Sequence, residues 1–458
     1  MNNYTLRKIA EVTSGRLYGG REAGKITVSG VVSDSRKVEK DSLFLCIPGE
    51  HADGHDFAQA AIDAGAAACI MEHKVKGYKG PYILVDSVKR ATMAFAEYYR
   101  RHLKVTVVGI TGSVGKTSAK EFIASVLSES YRVHKTEGNF NNEWGVPFTI
   151  FGIDENDDMA VLEAGVNGFG QMDVLATMIR PDICVMTNIG QSHLENFQTR
   201  ENIYKEKSEL FKYMDPSGAV ILNGDDDILS EVSGVKGIRP LFFGSSSSFP
   251  VCAENIRDYG YEGSEFDIAF RDGGGRMAIH VKLSVPGVHM VYSALAAASV
   301  GLWLGMPPVR IKRGIEKAGV ASGHNDIIKT DRYTILDDCY NASPMSVEAA
   351  LDTLKASKGR KVAVLGDMLE LGKDSEKYHF QIGKRAAANG IDVIICVGPI
   401  SEKTYLGAKM NTDNTVEYYK KLDDCLDALP GLVKTGDTIL VKASHSMGFS
   451  EITKLLQT

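Results

Sequence analysis

Apolar and polar residues alternate along the chain in blocks that predict strands followed by helices. The run "KVTVVGI" (104–110) is rich in β-branched residues, and "KTSAKEFIASVLSES" (116–130) follows it across a short loop. A set of apolar residues in the second run recurs at helical spacing and predicts one buried helix face. These residues are Ala119, Phe122, Ile123, Val126 and Leu127. With the further strand-like runs "DDMAVLEAG" and "PDICVMTNIG", the pattern indicates a parallel, doubly wound α/β sheet.

The regions on either side carry the same alternation and predict flanking domains. Residues 1–85 combine short apolar runs with turn residues, which predicts a small N-terminal α/β domain. The run "VKRATMAFAEYYRRH" predicts a helix that leads into the central domain. Later in the chain, "YTILDD", "KVAVLGDM", "DVIICVG" and "DTILVKAS" predict the strands of a Rossmann-like α/β domain. The predicted domain boundaries are 1–85, 86–319 and 320–458.

Within the central domain the hydrophobic period changes from helical spacing to strict alternation. Behind a "DGGG" turn, apolar residues alternate with polar or small ones and predict an antiparallel hairpin. These residues are Met277, Ile279, Val281 and Leu283. We interpret the hairpin as a small insert packed on the central domain.

The composition is that of an ordinary globular protein and argues against several classes of function. The chain has 458 residues and a formal net charge of −6, so it has no overall basic charge and we expect no nucleic-acid partner. No apolar run is long enough to span a bilayer, and the first residues lack the apolar stretch of a signal peptide. The seven cysteines are scattered without a CxxC pair, which predicts buried, reduced thiols. We therefore expect a cytoplasmic protein, and we expect a monomer.

The loop "GITGSVGKTS" (109–118) lies between a predicted strand and a predicted helix, as a phosphate site requires. It lacks the first glycine of a Walker A loop, which argues against a standard P-loop NTPase. Gly112 and Gly115 would let backbone amides close on an anion at the helix N-terminus. Lys116 would then reach the terminal phosphates, and Thr117 could bind Mg²⁺. The alternative is a tight turn with a solvated lysine, which the strand and helix context makes the weaker interpretation.

This loop resembles the ATP loop of the Mur ligase family, Thr-Gly-x-x-Gly-Lys-Thr. Other stretches resemble the family in the same order along nearly the whole chain. They are "GVVSDSRKVEKDSLFLCIPGEHADGHDF", "TEGNFNNEWGVP", "LEAGVNGFGQM", "TNIGQSHLENF" and "KEKSELF". "DDCYNASPMSVEAAL" and "LGDMLELG" resemble the members that join D-alanyl-D-alanine to UDP-N-acetylmuramoyl-tripeptide. The Asp-Tyr-Ala-His-Thr and Asn-Pro-Arg signatures of the members that act one step earlier are missing.

The resemblance implies ATP-dependent amide formation in peptidoglycan precursor synthesis, through an acyl phosphate. It implies an N-terminal domain that binds the UDP-sugar-peptide, a central ATPase domain and a C-terminal domain that binds D-alanyl-D-alanine. The implied catalytic residues are Lys116, Glu163, His193 and Lys207. The implied ATP-binding residues are Thr111, Gly112, Ser113, Val114, Gly115, Lys116, Thr117, Ser118, Ser293, His324, Asp338, Tyr340 and Asn341. The implied substrate-binding residues are Ser35, Arg36, Asp53, His55, Asn139, Asn141 and Asn142.

The resemblance also implies two Mg²⁺ ions and a lysine carbamate formed with CO₂. The implied metal ligands are Thr117, Glu163, His193 and, as the carbamate, Lys207. From the residues alone, His193 would be interpreted as a polar surface or capping histidine. Lys207 lies in "YKEKSEL", which by itself indicates a charged helix face. Only the resemblance favours the carbamate.

Asp338, Tyr340 and Asn341 follow a predicted strand, and Ser343-Pro344 is typical of a helix start. A plain turn between strand and helix would account for the Ser-Pro pair. The polar trio before it is better explained by contact with nucleotide or substrate across a cleft.

The sequence departs from the family pattern at several candidate positions. Met290 and Ser293 stand where relatives carry asparagines for adenine, and His324 and His445 stand where arginines are usual. Gln171 replaces a common glutamate. Two alternatives therefore stay open: a related ligase with another acceptor, and a nucleotide-binding relative without turnover.

Overall fold

The computed structural model describes residues 4–49, 52–272, 275–319 and 326–458. These described residues form three successive α/β units, each built on its own sheet. The α/β class expected from the sequence is thus confirmed.

The first unit has a mostly parallel sheet covered by short helices. Its strands are β1 (Tyr4–Thr5), β2 (Arg16–Tyr18), β3 (Thr27–Val28), β4 (Gly30–Val32), β5 (Ser42–Leu45), β6 (Ala68–Met71) and β7 (Tyr82–Leu84). Its helices are α1 (Leu6–Val12) and α2 (Ala58–Asp63). The sheet order is β2-β7-β6-β5-β4, with β2 antiparallel to β7 and the other pairs parallel, while β1 pairs separately with β3.

Helix α3 (Val88–His102) matches the predicted connecting helix residue for residue. It begins after Ser87, whose hydroxyl accepts a hydrogen bond from the Arg90 N–H. Phe95 and Tyr99 on its inner face are buried, and the Tyr99 hydroxyl donates to the Ile153 carbonyl at 2.7 Å. The first unit and the middle unit therefore share one hydrophobic core across α3.

The middle unit contains the predicted doubly wound sheet. Its strands are β8 (Thr106–Thr111), β9 (Val133–Lys135), β10 (Met159–Glu163), β11 (Ile183–Met186), β12 (Ala219–Asn223), β13 (Leu241–Gly244), β14 (Val251–Asp258), β15 (Ser264–Asp272) and β16 (Gly275–Leu283). Its helices are α4 (Lys116–Ser128), α5 (Gly145–Phe151), α6 (Gln171–Ile179), α7 (Leu194–Phe197), α8 (Arg200–Ser208), α9 (Met290–Trp303) and α10 (Pro308–Lys317). The sheet order is β16-β15-β14-β13-β12-β11-β8-β10-β9. Helices α4, α9 and α10 cover one face, and α3, α5 and α6 cover the other. All five apolar residues predicted for the inner face of α4 are buried.

The predicted antiparallel hairpin is confirmed as β15 paired with β16. It extends the edge of the main sheet, because β14 pairs with parallel β13 on one side and antiparallel β15 on the other. Val281 and Leu283 are buried as the alternation predicts, but Met277 is 45% exposed because it lies near the hairpin tip.

The third unit is a second open α/β sheet. Its strands are β17 (Asp326–Lys329), β18 (Thr334–Asp337), β19 (Lys361–Gly366), β20 (Val393–Val397), β21 (Thr415–Tyr419) and β22 (Thr438–Lys442). Its helices are α11 (Pro344–Ala356), α12 (Ser375–Ala388), α13 (Glu402–Lys409), α14 (Leu422–Leu432) and α15 (Ser450–Gln457). The order is β17-β18-β22-β19-β20-β21, parallel except for β17.

The cysteines all carry free thiols, and each is buried except Cys339, which is half-buried. Within the described ranges, no helix has the length and apolar character needed to cross a membrane.

Candidate active site

The glycine loop between β8 and α4 is shaped by both of its glycines. Gly112 has φ of 148°, and a Cβ there would lie 2.0 Å from the Thr187 hydroxyl oxygen, so no larger residue fits. Gly115 has φ of 79° and immediately precedes α4. Asn188, which follows β11, fixes the residues between them. Its carbonyl accepts from the Ser113 N–H at 3.0 Å, and its side-chain oxygen accepts from the Val114 N–H at 2.9 Å.

Lys116 is the first residue of α4 and folds back over this loop. Its Nζ donates to the Gly112 carbonyl at 3.0 Å and to the Ser113 carbonyl at 3.3 Å. Burial lowers the pKa of Lys116, and the negative charge of Glu163 partly opposes that shift. The amine is thus held at the helix N-terminus, beside the backbone amides that would meet a phosphate.

Glu163 ends β10, which pairs with β8 beside the loop. Its Oε1 accepts from Asn141 Nδ2 at 2.8 Å and from the Thr117 hydroxyl at 3.3 Å. Its Oε2 is buried and has no hydrogen-bond partner among the residues that the structure describes. A buried carboxylate oxygen that the protein leaves unsatisfied suits a hard divalent cation.

His193 follows β11 and precedes α7, in a left-handed backbone conformation with φ of 58°. Its Nδ1 lies 2.5 Å from Oε2 of Glu370, which belongs to the third unit. Burial lowers the pKa of His193; Glu370 opposes that shift, and the positive charges of Lys116 and Lys207 add to it. His193 is therefore close to both lysines and to the loop.

Lys207 is buried in α8, with only 2% of its surface exposed. Burial and the nearby positive charge of Lys116 hold its pKa well below the usual value, against attraction from Glu206 and Glu163. Glu206 fixes this stretch of α8, because its carboxylate accepts from the Gly170 N–H at 2.9 Å and the Met172 N–H at 2.7 Å at the start of α6. The residues alone indicated a charged surface helix, and this interpretation is wrong for Lys207 itself. Burial of this kind favours the neutral form of the amine.

The residues described so far form one edge of the site, and the third unit contributes the edge that faces it. This second edge lies where β18 and β22 end side by side. Lys442 at the end of β22 is buried, and its Nζ lies 2.5 Å from Asp338 Oδ2 and 3.0 Å from the Asn341 carbonyl. The predicted helix start is also present, since Pro344 is the first residue of α11 and Ser346 Oγ accepts from the Ser343 N–H at 2.9 Å. Asp338 and Asn341 are therefore held in place by a lysine that is 104 and 101 residues away in the sequence, respectively.

One cleft of about 770 Å³ joins the two edges. Most candidate residues from the middle and third units line it. They are Ser113, Val114, Gly115, Lys116, Thr117, Ser118, Asn139, Asn141, Asn142, Glu163, His193, Asp338, Tyr340 and Asn341. Thr111, Gly112 and Lys207 are not part of this lining, and His324 lies outside the described residues.

The candidate adenine position, Ser293, is buried within α9 beside Met290 and does not line the cleft. His289, which precedes α9, does line it. Burial lowers the pKa of His289 to about 4. No pattern in the sequence marked this histidine as a candidate.

The candidate substrate residues of the first unit lie after neighbouring parallel strands, β4 and β5. Asp34 binds the Arg36 guanidinium through both carboxylate oxygens, at 2.9 and 2.8 Å, and Ser35 lies between them. Asp53 Oδ1 lies 2.6 Å from His55 Nδ1, while His55 Nε2 accepts from the Glu72 N–H at 2.9 Å. None of the four candidates, Ser35, Arg36, Asp53 and His55, lines the cleft in the described part of the chain.

Asp53, His55 and His73 offer ligand atoms within 4.8 Å of one another, which raises the question of a metal site. The Glu72 N–H at Nε2 places the ring proton of His55 on Nδ1, where it donates to Asp53. Neither ring nitrogen of His55 then has a free lone pair. We interpret this trio as a rigid polar corner and not as a metal site.

Lys442, Glu370 and Glu206 hold the candidate residues in place, and the sequence analysis singled out none of them. The signal for Lys442 was present, because a lysine at the end of the apolar run "DTILVKAS" is unusual for a buried strand. Glu370 lies in "LGDMLELG", but its partner is 177 residues away, so no local pattern marks the contact.

Models of three Mur ligase domains match the chain in order. The model described as Mur ligase family, catalytic domain, matches residues 27–106. The Mur ligase middle domain matches residues 110–301, and the Mur ligase, glutamate ligase domain matches residues 326–445.

Relatives and solved structures cover the same span. UDP-N-acetylmuramoyl-tripeptide–D-alanyl-D-alanine ligase of Bacillus subtilis is 34% identical, over 98% of this chain and 97% of its own. The protein of the same name from Escherichia coli is 32% identical, over 100% of this chain and 99% of its own. The crystal structure of MurF from Acinetobacter baumannii has a TM-score of 0.90 and 27% identity and covers 100% of both chains. MurF ligase from Thermotoga maritima in complex with ADP has a TM-score of 0.81 and 27% identity and covers 94% of this chain and 97% of that one. With its cleft, its sequence and its fold in agreement over nearly the full length, this chain belongs to the Mur ligase family.

Proposed function

We propose that this protein is an ATP-dependent ligase that joins D-alanyl-D-alanine to UDP-N-acetylmuramoyl-tripeptide in peptidoglycan precursor synthesis. Relatives that bear the name of this activity align with the chain from end to end. The observation that carries the proposal is the single cleft in which the glycine loop, Glu163 and His193 face Asp338 and Asn341. Ligation needs such an arrangement because nucleotide, carboxylate and amine must meet away from bulk water.

In the proposed reaction a carboxylate oxygen of the tripeptide attacks the γ-phosphorus of ATP. The bond from that phosphorus to the β,γ-bridging oxygen breaks, and ADP leaves. The amine nitrogen of D-alanyl-D-alanine then attacks the acyl carbon, phosphate leaves with the former carboxylate oxygen, and the nitrogen loses a proton. Mutual repulsion of the anions is the main obstacle to the first step. Lys116 and the loop amides offset that repulsion at the terminal phosphates.

Mg²⁺ fits the donor set around Glu163. The unsatisfied Oε2 of Glu163, the Thr117 hydroxyl and the His193 ring nitrogen would hold it. When bound, Mg²⁺ supplies positive charge that polarises the phosphate oxygens. Glu163 itself is oriented by Asn141, which gives this asparagine a supporting role beside the substrate contact expected of Asn139 and Asn142.

We propose that Lys207 carries the carbamate, and its surroundings suit this modification. A neutral amine reacts with CO₂ to form an N–C bond and release a proton, and the product carries a negative charge with two oxygens. That anion would sit near the positive charge of Lys116 and would help hold a second Mg²⁺. The proposal is supported by the burial of Lys207 and the lowered pKa of its amine.

The carbamate is tested by replacement and rescue. Lys207→Ala should lose activity by about two orders of magnitude or more, because the residue that should hold one Mg²⁺ is gone. A short carboxylate added to Lys207→Ala should restore part of the rate. Lys205→Ala is the matched control, since Lys205 is an exposed lysine of the same helix, and it should keep full activity. A fully active Lys207→Ala, or a wild type that shows no carbamate carbon by NMR with ¹³CO₂, would contradict the assignment.

For the remaining candidates we propose roles that follow the unit in which each lies. Ser35, Arg36, Asp53 and His55 would bind the UDP end of the substrate. Asp338, Tyr340 and Asn341 would contact the nucleotide from the opposite edge, and Ser293 and His324 remain predictions of adenine and phosphate contacts. We keep 1–85, 86–319 and 320–458 as domain boundaries and expect a monomeric, cytoplasmic enzyme.

The decisive assay measures phosphate and ADP released from ATP with UDP-N-acetylmuramoyl-tripeptide, with and without D-alanyl-D-alanine. We expect release that depends on both substrates. Release that ignores the dipeptide but responds to another amine would indicate a ligase with a different acceptor. ATP binding without turnover for any amine would indicate a nucleotide-binding relative.

A further inference from the structure

Among the described residues, the third unit touches the candidate catalytic residues through a hydrogen bond to His193. The loop after β19 brings Glu370 against the start of α7, where Glu370 Oε2 lies 2.5 Å from His193 Nδ1. The backbone reinforces this contact, because the Glu195 N–H donates to the Glu370 carbonyl at 2.9 Å. Side chain and main chain of one residue thus engage the same turn of the middle unit.

Both partners have backbone conformations that side-chain-bearing residues rarely adopt. His193 has φ of 58° and Glu370 has φ of 62°. Gly372, two residues on, has φ of 61°, and a Cβ there would lie 3.2 Å from the Glu195 Cα. Strained backbone of this kind persists only where surrounding contacts hold it, and it is concentrated at functional sites. Two such residues meeting across a unit boundary indicate that their relative placement matters.

We infer that Glu370 is a positioning residue for His193. Its carboxylate can only accept, so the short contact places the imidazole proton on Nδ1. The lone pair of Nε2 is then left for the cleft, which His193 lines together with Lys116 and Glu163. A carboxylate behind a histidine fixes the ring orientation and the tautomer of a metal ligand in this way. The inference rests on the proposed function, in which His193 is such a ligand.

This assignment gives the third unit a second task beside binding the acceptor. The histidine belongs to the middle unit, whereas the group that orients it belongs to the third. The ligand set on the nucleotide side is therefore complete only while the third unit lies against α7. Contact between the third unit and the middle unit therefore also completes the metal site.

The test compares Glu370→Ala, Glu370→Gln and Glu376→Ala in the full chain. Glu376 is the matched control, because it is an exposed glutamate of the same unit whose ion pair, among the described residues, is with half-buried Lys403. The first measurement determines which ring nitrogen of His193 carries the proton, by long-range ¹⁵N–¹H NMR. The variant His193→Gln is used to assign the signal. The second is the affinity for Mn²⁺ in the presence of a non-hydrolysable ATP analogue, by electron paramagnetic resonance.

We expect the proton of His193 on Nδ1 in the wild type and in Glu376→Ala. Glu370→Ala should shift the proton towards Nε2 and weaken Mn²⁺ binding by about 10- to 100-fold. Glu370→Gln keeps an accepting oxygen, so it should retain the Nδ1 proton and most of the affinity. If the contact were purely structural, Glu370→Gln and Glu370→Ala would show the same position of the His193 ring proton.

A wild type with its His193 proton on Nε2 would overturn the inference, and so would Glu370→Ala with unchanged tautomer and unchanged Mn²⁺ affinity. The wild-type tautomer needs no variant, so it decides the matter even if Glu370→Ala folds poorly. Failure of the proposed function would appear elsewhere, as ATP turnover that ignores D-alanyl-D-alanine while the tautomer stays on Nδ1.

Discussion

The two edges of the cleft are built in opposite ways. The edge from the middle unit is local in sequence: strand β8, the glycine loop and helix α4 follow one another, and Lys116 binds carbonyls only three and four residues away. The edge from the third unit is held by Lys442 and Asp338, which are 104 residues apart and buried against each other. The conformation of a phosphate loop thus comes largely from its own glycines and backbone, with Asn188 as one distant contact, whereas the facing edge depends on the whole sheet behind it.

The same two regions treat positive charge differently. In the middle unit Lys116 is half-buried and Lys207 is buried, and both have a lowered pKa because burial disfavours the cation. In the third unit the buried amine of Lys442 is paired with a carboxylate. At the loop, the Lys116 amine contacts backbone carbonyls and faces the cleft where phosphates would bind, whereas Lys442 uses its charge to fix the position of Asp338.

The largest effect should come from breaking the local edge at Lys116. Lys116→Ala removes the cation that would meet the terminal phosphates, and we expect turnover to fall by roughly 10³-fold or more. The fold should survive, because the loop keeps its glycines and its bonds to Asn188. ADP release and thermal unfolding measure the two effects. Lys104→Ala, at an exposed lysine just before β8, should behave as wild type, and more than a tenth of normal activity in Lys116→Ala would contradict the phosphate role.

The contrast between the edges also explains which features the sequence could predict. The loop, the strand that ends at Glu163, and helix α3 could be predicted because each depends on a run of adjacent residues. The exposure of Met277 was missed because alternation alone does not reveal where a hairpin extends past the helices that cover it.

Burial of single charged residues could not be predicted from local patterns. Lys207 lies in a polar run that by itself indicates solvent, and only the fold, with Glu206 bound to the start of α6, encloses it. Glu370 and Lys442 are similar cases, since each acts on a residue more than 100 positions away. Their roles became visible only when two units were seen in contact.

A smaller but still large effect should follow from breaking the distant edge at Lys442. Lys442→Met leaves Asp338 buried without its partner, and we expect a loss of about 3–5 kcal/mol in unfolding free energy. The double variant Lys442→Met, Asp338→Asn should recover part of that stability, because the unpaired charge is gone, but it should not recover activity if Asp338 contacts the nucleotide. Denaturant unfolding and ADP release separate the two outcomes.

The matched control for Lys442 is Lys454→Met in helix α15, whose pair with Glu451 is exposed. An exposed pair contributes about 0–1 kcal/mol, so this variant should unfold close to wild type. Equal losses in the two lysine variants would contradict the view that the buried pair holds this edge together.

The smallest effect should come from His289, which lines the cleft between the two edges. It concerns the dependence of the unfolding free energy on pH. Burial lowers its pKa to about 4, with Asp338 opposing the shift and Lys442 adding to it. The unfolded chain would protonate this histidine near its ordinary pKa of about 6.5, so between pH 6.5 and 4 the unfolded state binds more protons than the folded state. Stability from His289 is therefore complete above pH 6.5 and is lost as the pH falls towards 4, by about 1–3 kcal/mol for a half-buried ring.

His289→Gln should remove this part of the slope in unfolding free energy against pH, whereas His102→Gln at an exposed histidine should keep it. Identical slopes in wild type and His289→Gln would show that the ring is solvated and that the two edges close less tightly around it than its lowered pKa requires.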